Sequence, residues 1–284
     1  MKIAKTIKSV RKLVRAARNT GRIIGFVPTM GALHIGHISL IAAARKKCDF
    51  VVVSIFVNPT QFGPREDFQK YPRPLAVDLK ICRKAGVDVV FAPTSKEMYG
   101  DENLTWVNVE KLTGPLCGQS RPGHFRGVAT VCAKLFNIVL PDVAFFGQKD
   151  AQQAVVIKKM VADLNMPLKI VVCPTVRQAD GLAVSSRNQY LTPEQKKDAV
   201  FLYKSLQKCR EMVEAGVKNV PEIAAQMRKI LNSSPLIEIE YIGIVDAETL
   251  EAIDRISGRV LAALAVRIGS TRLIDNILLD AGKK

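Results

Sequence analysis

Two of the chain's three histidines, His34 and His37, fall within one turn of the segment Gly25-Phe-Val-Pro-Thr-Met-Gly-Ala-Leu-His34-Ile-Gly-His37. An apolar run precedes them and a helical pattern follows, so the pair stands where a strand hands over to a helix. The exposed N–H groups and positive dipole end of a helix start attract an anion. Imidazoles at this spacing face one side of a helical turn, and Gly36 leaves room for a phosphate or a base to approach. Phosphate or nucleotide handling is the chemistry this predicts. A zinc site is the alternative, but no third ligand is apparent nearby.

A second strand-to-helix junction carries Phe145-Phe-Gly147-Gln148-Lys149-Asp150. There a glycine permits backbone approach, Lys149 supplies a mobile point charge for phosphate, and Asp150 is placed to cap the helix. Alone, this is also what an ordinary turn looks like. The polar loop Asp180-Gly-Leu-Ala-Val184-Ser185-Ser186-Arg187-Asn188 offers two hydroxyls and a guanidinium. Such a loop suits charge that accumulates in phosphoryl or nucleotidyl transfer, and equally suits a solvated linker. Gln61 and Gln153 occupy loop or helix-start positions at the same edge, and a neutral amide both donates to and accepts from a hydroxylated carboxylic acid; an ordinary surface glutamine is the commoner reading of either one alone. Ser120-Arg-Pro-Gly-His124-Phe-Arg126-Gly is either a further anion contact or a turn with a capped helix behind it.

These segments need a scaffold, and the alternation of β-type and helix-type runs describes one. Strands are expected at Arg22–Pro28, Phe50–Val57, Val87–Phe91, Val143–Phe146 and Leu168–Cys173. Helices are expected over the N-terminal segment, where Ile3, Ile7, Val10, Val14 and Ala17 recur at helical spacing, and at Gly36–Lys47, Pro74–Ala85, Phe125–Val139 and Asp150–Asn165. This is the pattern of an α/β fold with a parallel sheet, whose ligands collect at the carboxyl ends of the strands. After a boundary near residue 180 the character changes to two helices, about 193–214 and 220–232, and three β-rich runs, Ile237–Val245, Val260–Ile268 and Thr271–Leu279. Thr192-Pro193 marks the first helix start. The second part reads as a smaller α+β domain.

Composition narrows the class. With 284 residues and 48% hydrophobic content the chain has material for a sizeable core. No apolar string approaches the ~18 residues of a membrane span, so a soluble protein is expected. The six cysteines show neither CxxC spacing nor a histidine partner and read as reduced thiols of a cytoplasmic protein. A net charge of +16, with 11 Lys or Arg before the first acidic residue, Asp49, admits a transit peptide, a nucleic-acid-binding arm, or a surface helix. The helical spacing favours the last. Aromatic stacking platforms for RNA are lacking, with one Trp and five Tyr, so no nucleic-acid partner is expected.

Together these motifs closely resemble the pantothenate synthetase (pantoate–β-alanine ligase) family. The resemblance spans the chain and is densest over residues 25–191, in GFVPTMGALHxGH, FVNPTQFGPxEDFxxYPR, SRPGHFRGVATV, PDVAFFGxKD and DGLAxSSRNxYL. It implies a Rossmann-like sheet of nucleotidyltransferase type over residues 1–179, a C-terminal α+β lid over 180–284, a homodimer, and no transit peptide. It also implies that ATP, with Mg2+, activates pantoate as its adenylate before β-alanine attacks. By similarity Met30, Gly31, Ala32, Leu33, His34, Ile35, Gly36 and His37 cradle ATP, with His37 a proton donor. Gly147, Gln148, Lys149, Asp150, Val176, Val184, Ser185, Ser186 and Arg187 complete the nucleotide site, and Gln61 and Gln153 hold pantoate. His34, His37, Lys149, Ser185, Ser186 and Arg187 would stabilise the departing pyrophosphate. The sequence departs from the family at Ile35, where an acid is common, at Gln148 for a frequent Glu, and at Val184 for Met or Leu. Around Val77-Asp78 only one of two adjacent carboxylates remains, which puts a magnesium ligand there in doubt.

Overall fold

The β-branched runs of the N-terminal half become strands of one parallel sheet in a computed structural model that describes residues 1–64 and 66–282. The chain divides into two units, one of residues 1–113, 121–148 and 153–174, the other of residues 114–120, 149–152 and 175 onward.

In the first unit the strands are β1 (Lys2–Ala4), β2 (Ile24–Thr29), β3 (Phe50–Ile55), β4 (Val89–Phe91), β5 (Val143–Gly147) and β6 (Lys169–Cys173). Their order is β1-β4-β3-β2-β5-β6 and every neighbouring pair is parallel. Helices α1 (Ile7–Arg18), α2 (Ile35–Lys47), α3 (Leu75–Lys84) and α4 (Ser95–Tyr99) follow in the chain, then α5 (Cys117–Ser120) in the second unit, α6 (His124–Val139), and α7 (Ala151–Asp163). Val27, Val51, Val53, Val90 and Phe145 of the sheet pack with Leu40, Ile41 and Ala44 of α2. Burial of β2 and β3 along nearly their whole length reflects a parallel sheet covered on both faces.

From β2 the chain winds outward in one direction through β3 and β4, and from β5 in the other through β6. The sheet's topological switch point therefore lies between β2 and β5, where open α/β sheets bind ligands. The β2–β5 ladder pairs Gly25 with Val143 and Phe26 with Ala144, and stops before Pro28. Pro28 has no N–H to give, so the two strands part just where a crevice is needed.

One expectation is corrected. Ile3 does not belong to the N-terminal helix but to β1, paired with β4. Thr6 explains the break: it caps α1 by accepting from the Ser9 N–H, and Ser9 returns a bond from the Thr6 N–H. The basic N-terminal segment is otherwise a packed helix. Val10, Val14 and Ala17 are buried, and Arg18 pairs with Asp142 at 3.0 Å.

The second unit carries α8 (Pro193–Glu214), α9 (Val220–Leu231) and the antiparallel strands β7 (Ile237–Asp246), β8 (Arg259–Ile268) and β9 (Thr271–Asp280) in the order β7-β8-β9. Thr192 caps α8 reciprocally with Gln195, and Pro193 opens its first turn. Leu202 and Leu206 of α8 and Ile223, Met227 and Leu231 of α9 bury against Leu264, Val266 and Ile268 of β8. Among the described residues no helix is long and apolar enough to cross a membrane.

Candidate active site

The turn from β2 into α2 is held by backbone geometry that few sequences tolerate. Gly31 and Ala32 adopt φ of +82° and +49°, a left-handed pair that turns successive N–H groups in a new direction. Two of these N–H groups have a fixed partner: the buried carboxylate of Asp78 in the first turn of α3 accepts from Ala32 at 2.9 Å and from Leu33 at 2.8 Å. A Cβ on Gly31 would sit 2.9 Å from the same carboxylate. Burial pushes the Asp78 pKa above the ordinary value, outweighing the downward pull of its two N–H bonds. The lone carboxylate that raised the magnesium question thus serves as the clamp of this loop.

The histidines come together differently from two residues on a helix face. His34 is the N-cap of α2 with extended backbone, and its Nδ1 accepts the Gly36 N–H at 3.2 Å. His37, in the first turn, accepts the His34 N–H on its own Nδ1 at 3.3 Å. The rings lie 4.1 Å apart, tilted by 33°. Since both Nδ1 atoms accept from backbone, each neutral ring carries its proton on Nε2. Gly36 also has a local use: a Cβ there would stand 3.0 Å from the His34 ring, so its vacant space admits the imidazole. Ile35 is exposed.

Gln61 is buried in a short 3-10 turn, Pro59–Gln61, after β3. Its amide oxygen accepts from Asn58 Nδ2 at 3.1 Å, and its Nε2 lies 3.1 Å from Met30 Sδ. Tyr99 of α4 donates to Asn58 Oδ1 at 2.6 Å, so the turn is tied on both sides. Arg121 and His124, candidates for an anion contact, are spent inside the protein. Arg121 grips Glu66 with Nε to Oε1 at 2.8 Å and Nη2 to Oε2 at 2.5 Å, and it also reaches the Gln61 carbonyl. His124 Nδ1 donates to that carbonyl at 2.8 Å, which leaves its Nε2 to accept from Arg121. Burial raises the Glu66 pKa, but the bonds and charge of Arg121 more than offset it, leaving the carboxyl below its ordinary value. Gly127 of α6 completes the seat, because a Cβ there would collide with the Thr60 carbonyl oxygen. Gln153 is half-buried on α7 in the same unit.

In the second unit Lys149 Nζ stands 3.9 Å from Asp150 Oδ1, at the 3-10 turn Gln148–Asp150 that follows Gly147. Val176 and Val184 join through Val184 N–H to Val176 O at 3.0 Å. Ser185 then caps a 3-10 turn over Ser186–Tyr190 by accepting the Arg187 N–H. The serines and Arg187 are half-buried, set on the hairpin rather than on a solvated linker. Cys117 N–H and the Pro115 carbonyl are both bound by the buried Gln152, the neighbour of the glutamine that sequence singled out.

Known proteins match the chain along nearly its full length. The family model described as pantoate-beta-alanine ligase covers residues 2–278. The chain belongs to the pantoate–β-alanine ligase family. The pantothenate synthetase of Moorella thermoacetica is 56% identical over 280 residues, covering 99% of each chain, and that of Acetivibrio thermocellus is 55% identical over 280 residues, 99% of this chain and 100% of that one. Among solved structures, pantothenate synthetase from Thermus thermophilus superposes with a TM-score of 0.93 at 44% identity, with 99% of each chain covered. The pantoate-beta-alanine ligase of Francisella tularensis, complexed with beta-gamma ATP and beta-alanine, gives 0.82 at 38% identity, covering 99% of this chain and 100% of that one. As a pantoate–β-alanine ligase the chain is an enzyme of pantothenate biosynthesis.

All six cysteines are buried and unpaired with one another. Burial raises the Cys82, Cys132 and Cys209 thiols to about 12, which makes them poor nucleophiles. No group of three His, Cys, Asp or Glu among the described residues is arranged to hold a metal ion, and Asp78 is committed to backbone N–H groups. The donor set therefore does not fit a protein-caged magnesium.

Proposed function

We propose that this ligase couples pantoate to β-alanine through a pantoyl adenylate, consuming ATP and releasing first pyrophosphate and then AMP. A carboxylate is a poor electrophile, so an amine attacks it only after a better leaving group is attached. In the first half-reaction a pantoate carboxylate oxygen attacks the α-phosphorus of ATP and the bond to pyrophosphate breaks. In the second, the β-alanine amine attacks the acyl carbon, loses a proton, and expels AMP.

The observation that carries this reading is the placement of His34 and His37 at the start of α2, each with its Nδ1 held on a backbone N–H. With both Nδ1 atoms fixed on backbone, each ring has a preformed donor for phosphate oxygens, at the helix end whose dipole favours negative charge. His37 then donates a hydrogen bond from Nε2 to the leaving pyrophosphate and offsets its charge. Residues 30–37 cradle the triphosphate, and Gly147, Gln148, Lys149, Asp150, Val176 and Val184–Arg187 contribute the remaining nucleotide contacts. Lys149, Ser185, Ser186 and Arg187 offset charge on the pyrophosphate, and Gln61 and Gln153 bind pantoate. Mg2+, which these residues would not cage, would accompany ATP and would offset phosphate charge. Residues 1–179 form the nucleotide and pantoate domain and 180–284 the lid, in a cytoplasmic homodimer with no nucleic-acid partner.

Pantoate labelled with 18O in its carboxylate tests the scheme. One labelled oxygen should appear in AMP after turnover; label retained wholly in pantothenate and pyrophosphate would exclude the adenylate.

A further inference from the structure

The hydrogen bonds of the second unit converge on a pair of residues that this scheme leaves idle. Arg177 and Asp275 form a two-pronged ion pair, Nη1 to Oδ2 at 2.6 Å and Nη2 to Oδ1 at 2.9 Å, with Asp275 on β9 fully buried. The remaining Nη hydrogens go to the carbonyls of Gly181 at 3.1 Å and Asn276 at 3.3 Å. The guanidinium also lies over the Tyr203 ring, 4.1 Å from its centroid. Every contact uses the planar fork that lysine lacks.

Two arms leave this hub. Along one, the Asn276 N–H bonds Asp275 Oδ1 at 2.7 Å, and the Asn276 side-chain amide donates to the Lys149 carbonyl at 2.8 Å. Along the other, Arg177 bridges to Ala183 across a hairpin closed by Gln178 N–H to Leu182 O and Val184 N–H to Val176 O. Asn188 Nδ2 donates to the Ala183 carbonyl at 3.0 Å and closes the loop that carries Ser185, Ser186 and Arg187. Gly181, at φ +92°, makes the hairpin turn with no room for a Cβ beside Tyr203. One largely buried pair is thus fastened to the backbone of Lys149 and to the loop of Ser185–Arg187.

We propose that Arg177, Asp275 and Asn276 are positioning residues, which hold Lys149 and the Ser185–Arg187 loop in one fixed relation so that their charges meet the departing pyrophosphate together. A buried ion pair adds little net stability over apolar residues of the same size, whereas its directional bonds fix two pieces of backbone at once. This rests on the roles proposed above for Lys149 and the serine loop.

The test compares wild type, Asn276→Ala and Arg177→Lys, each also in a Lys149→Ala background. On every preparation two rates are taken: pantoate-dependent ATP–pyrophosphate exchange, and conversion of supplied pantoyl adenylate with β-alanine to pantothenate. Their ratio does not depend on how much of the protein is folded. In both single variants exchange should fall roughly 10- to 100-fold, as expected for catalytic groups displaced by about an ångström, while the second reaction stays close to wild type. Asn276→Ala should remove little further exchange from Lys149→Ala, because both act through one group. Equal loss of both rates, no loss, or fully additive losses would overturn the proposal. Absence of exchange in the wild type would instead bring down the adenylate reading, and this one with it.

Discussion

Removing the Asp78 carboxylate should damage both fold and nucleotide binding, in proportions that the geometry sets. In Asp78→Ala the Ala32 and Leu33 N–H groups lose acceptors at 2.9 and 2.8 Å. Leaving a buried donor unsatisfied costs ~1–3 kcal/mol. The Ala32 side is only half-buried and water replaces part of its bond, which puts the total near ~2–4 kcal/mol. For a unit of this size that lowers the melting temperature by about 4–16 °C. Asp78→Asn keeps one acceptor oxygen and sheds a charge that burial disfavours, so its stability loss should be about 1 kcal/mol. Its amide NH2 nonetheless opposes a backbone N–H, and the loop carrying Gly31 and Ala32 must shift. We therefore expect Asp78→Asn to melt within a few degrees of wild type while kcat/KM for ATP falls roughly 10- to 100-fold. Differential scanning calorimetry and steady-state kinetics in ATP measure the two effects separately. Wild-type ATP kinetics in Asp78→Asn would refute the clamp.

Other consequences are equally specific. Gly36→Ala improves helix propensity by up to ~1 kcal/mol but sets a methyl 3.0 Å from the His34 ring, so kcat should fall with no loss of melting temperature. Gly127→Ala drives a methyl into the Thr60 carbonyl; it should cost about 3 kcal/mol or more and reduce the yield of folded protein. Glu66 has a depressed folded-state pKa, so its contribution to stability is complete above its ordinary value of 4.5 and is lost as pH falls through the lower folded value. The gap in melting temperature between wild type and Glu66→Gln should accordingly be wide at about pH 7 and shrink below about pH 4.5. His37→Ala and Lys149→Ala should fold normally and lose roughly 10²-fold in kcat, the usual cost of one preorganised donor.

Much of the scaffold was readable because its signals are local. Strand runs of Val, Ile and Phe, the Thr192-Pro193 helix start and the helical spacing of Val10, Val14 and Ala17 each declare themselves within a few residues. Ile3 misled because a three-residue edge strand is specified by its neighbour β4 rather than by its own pattern. The histidine motif stood out at once, whereas its mechanism of presentation did not: that His34 is a cap, and that Gly36 yields its space to an imidazole, depends on backbone angles. The residues that hold the site in place were harder still. Asp78 lies 45 residues from the N–H of Leu33, Glu66 lies 55 from Arg121, and Arg177 lies 98 from Asp275. Nothing in spacing marks such partners. An acidic or basic residue that ends up nearly dry is the only hint, and it appears once the fold is known.

The central claim is that ATP activates pantoate before the amine takes part. Pantoate-dependent exchange of labelled pyrophosphate into ATP, measured without β-alanine, tests it most directly. Exchange is expected under these conditions, with net AMP release beginning only when β-alanine is added; exchange that requires β-alanine, or AMP release without it in step with turnover, would contradict activation before amine attack.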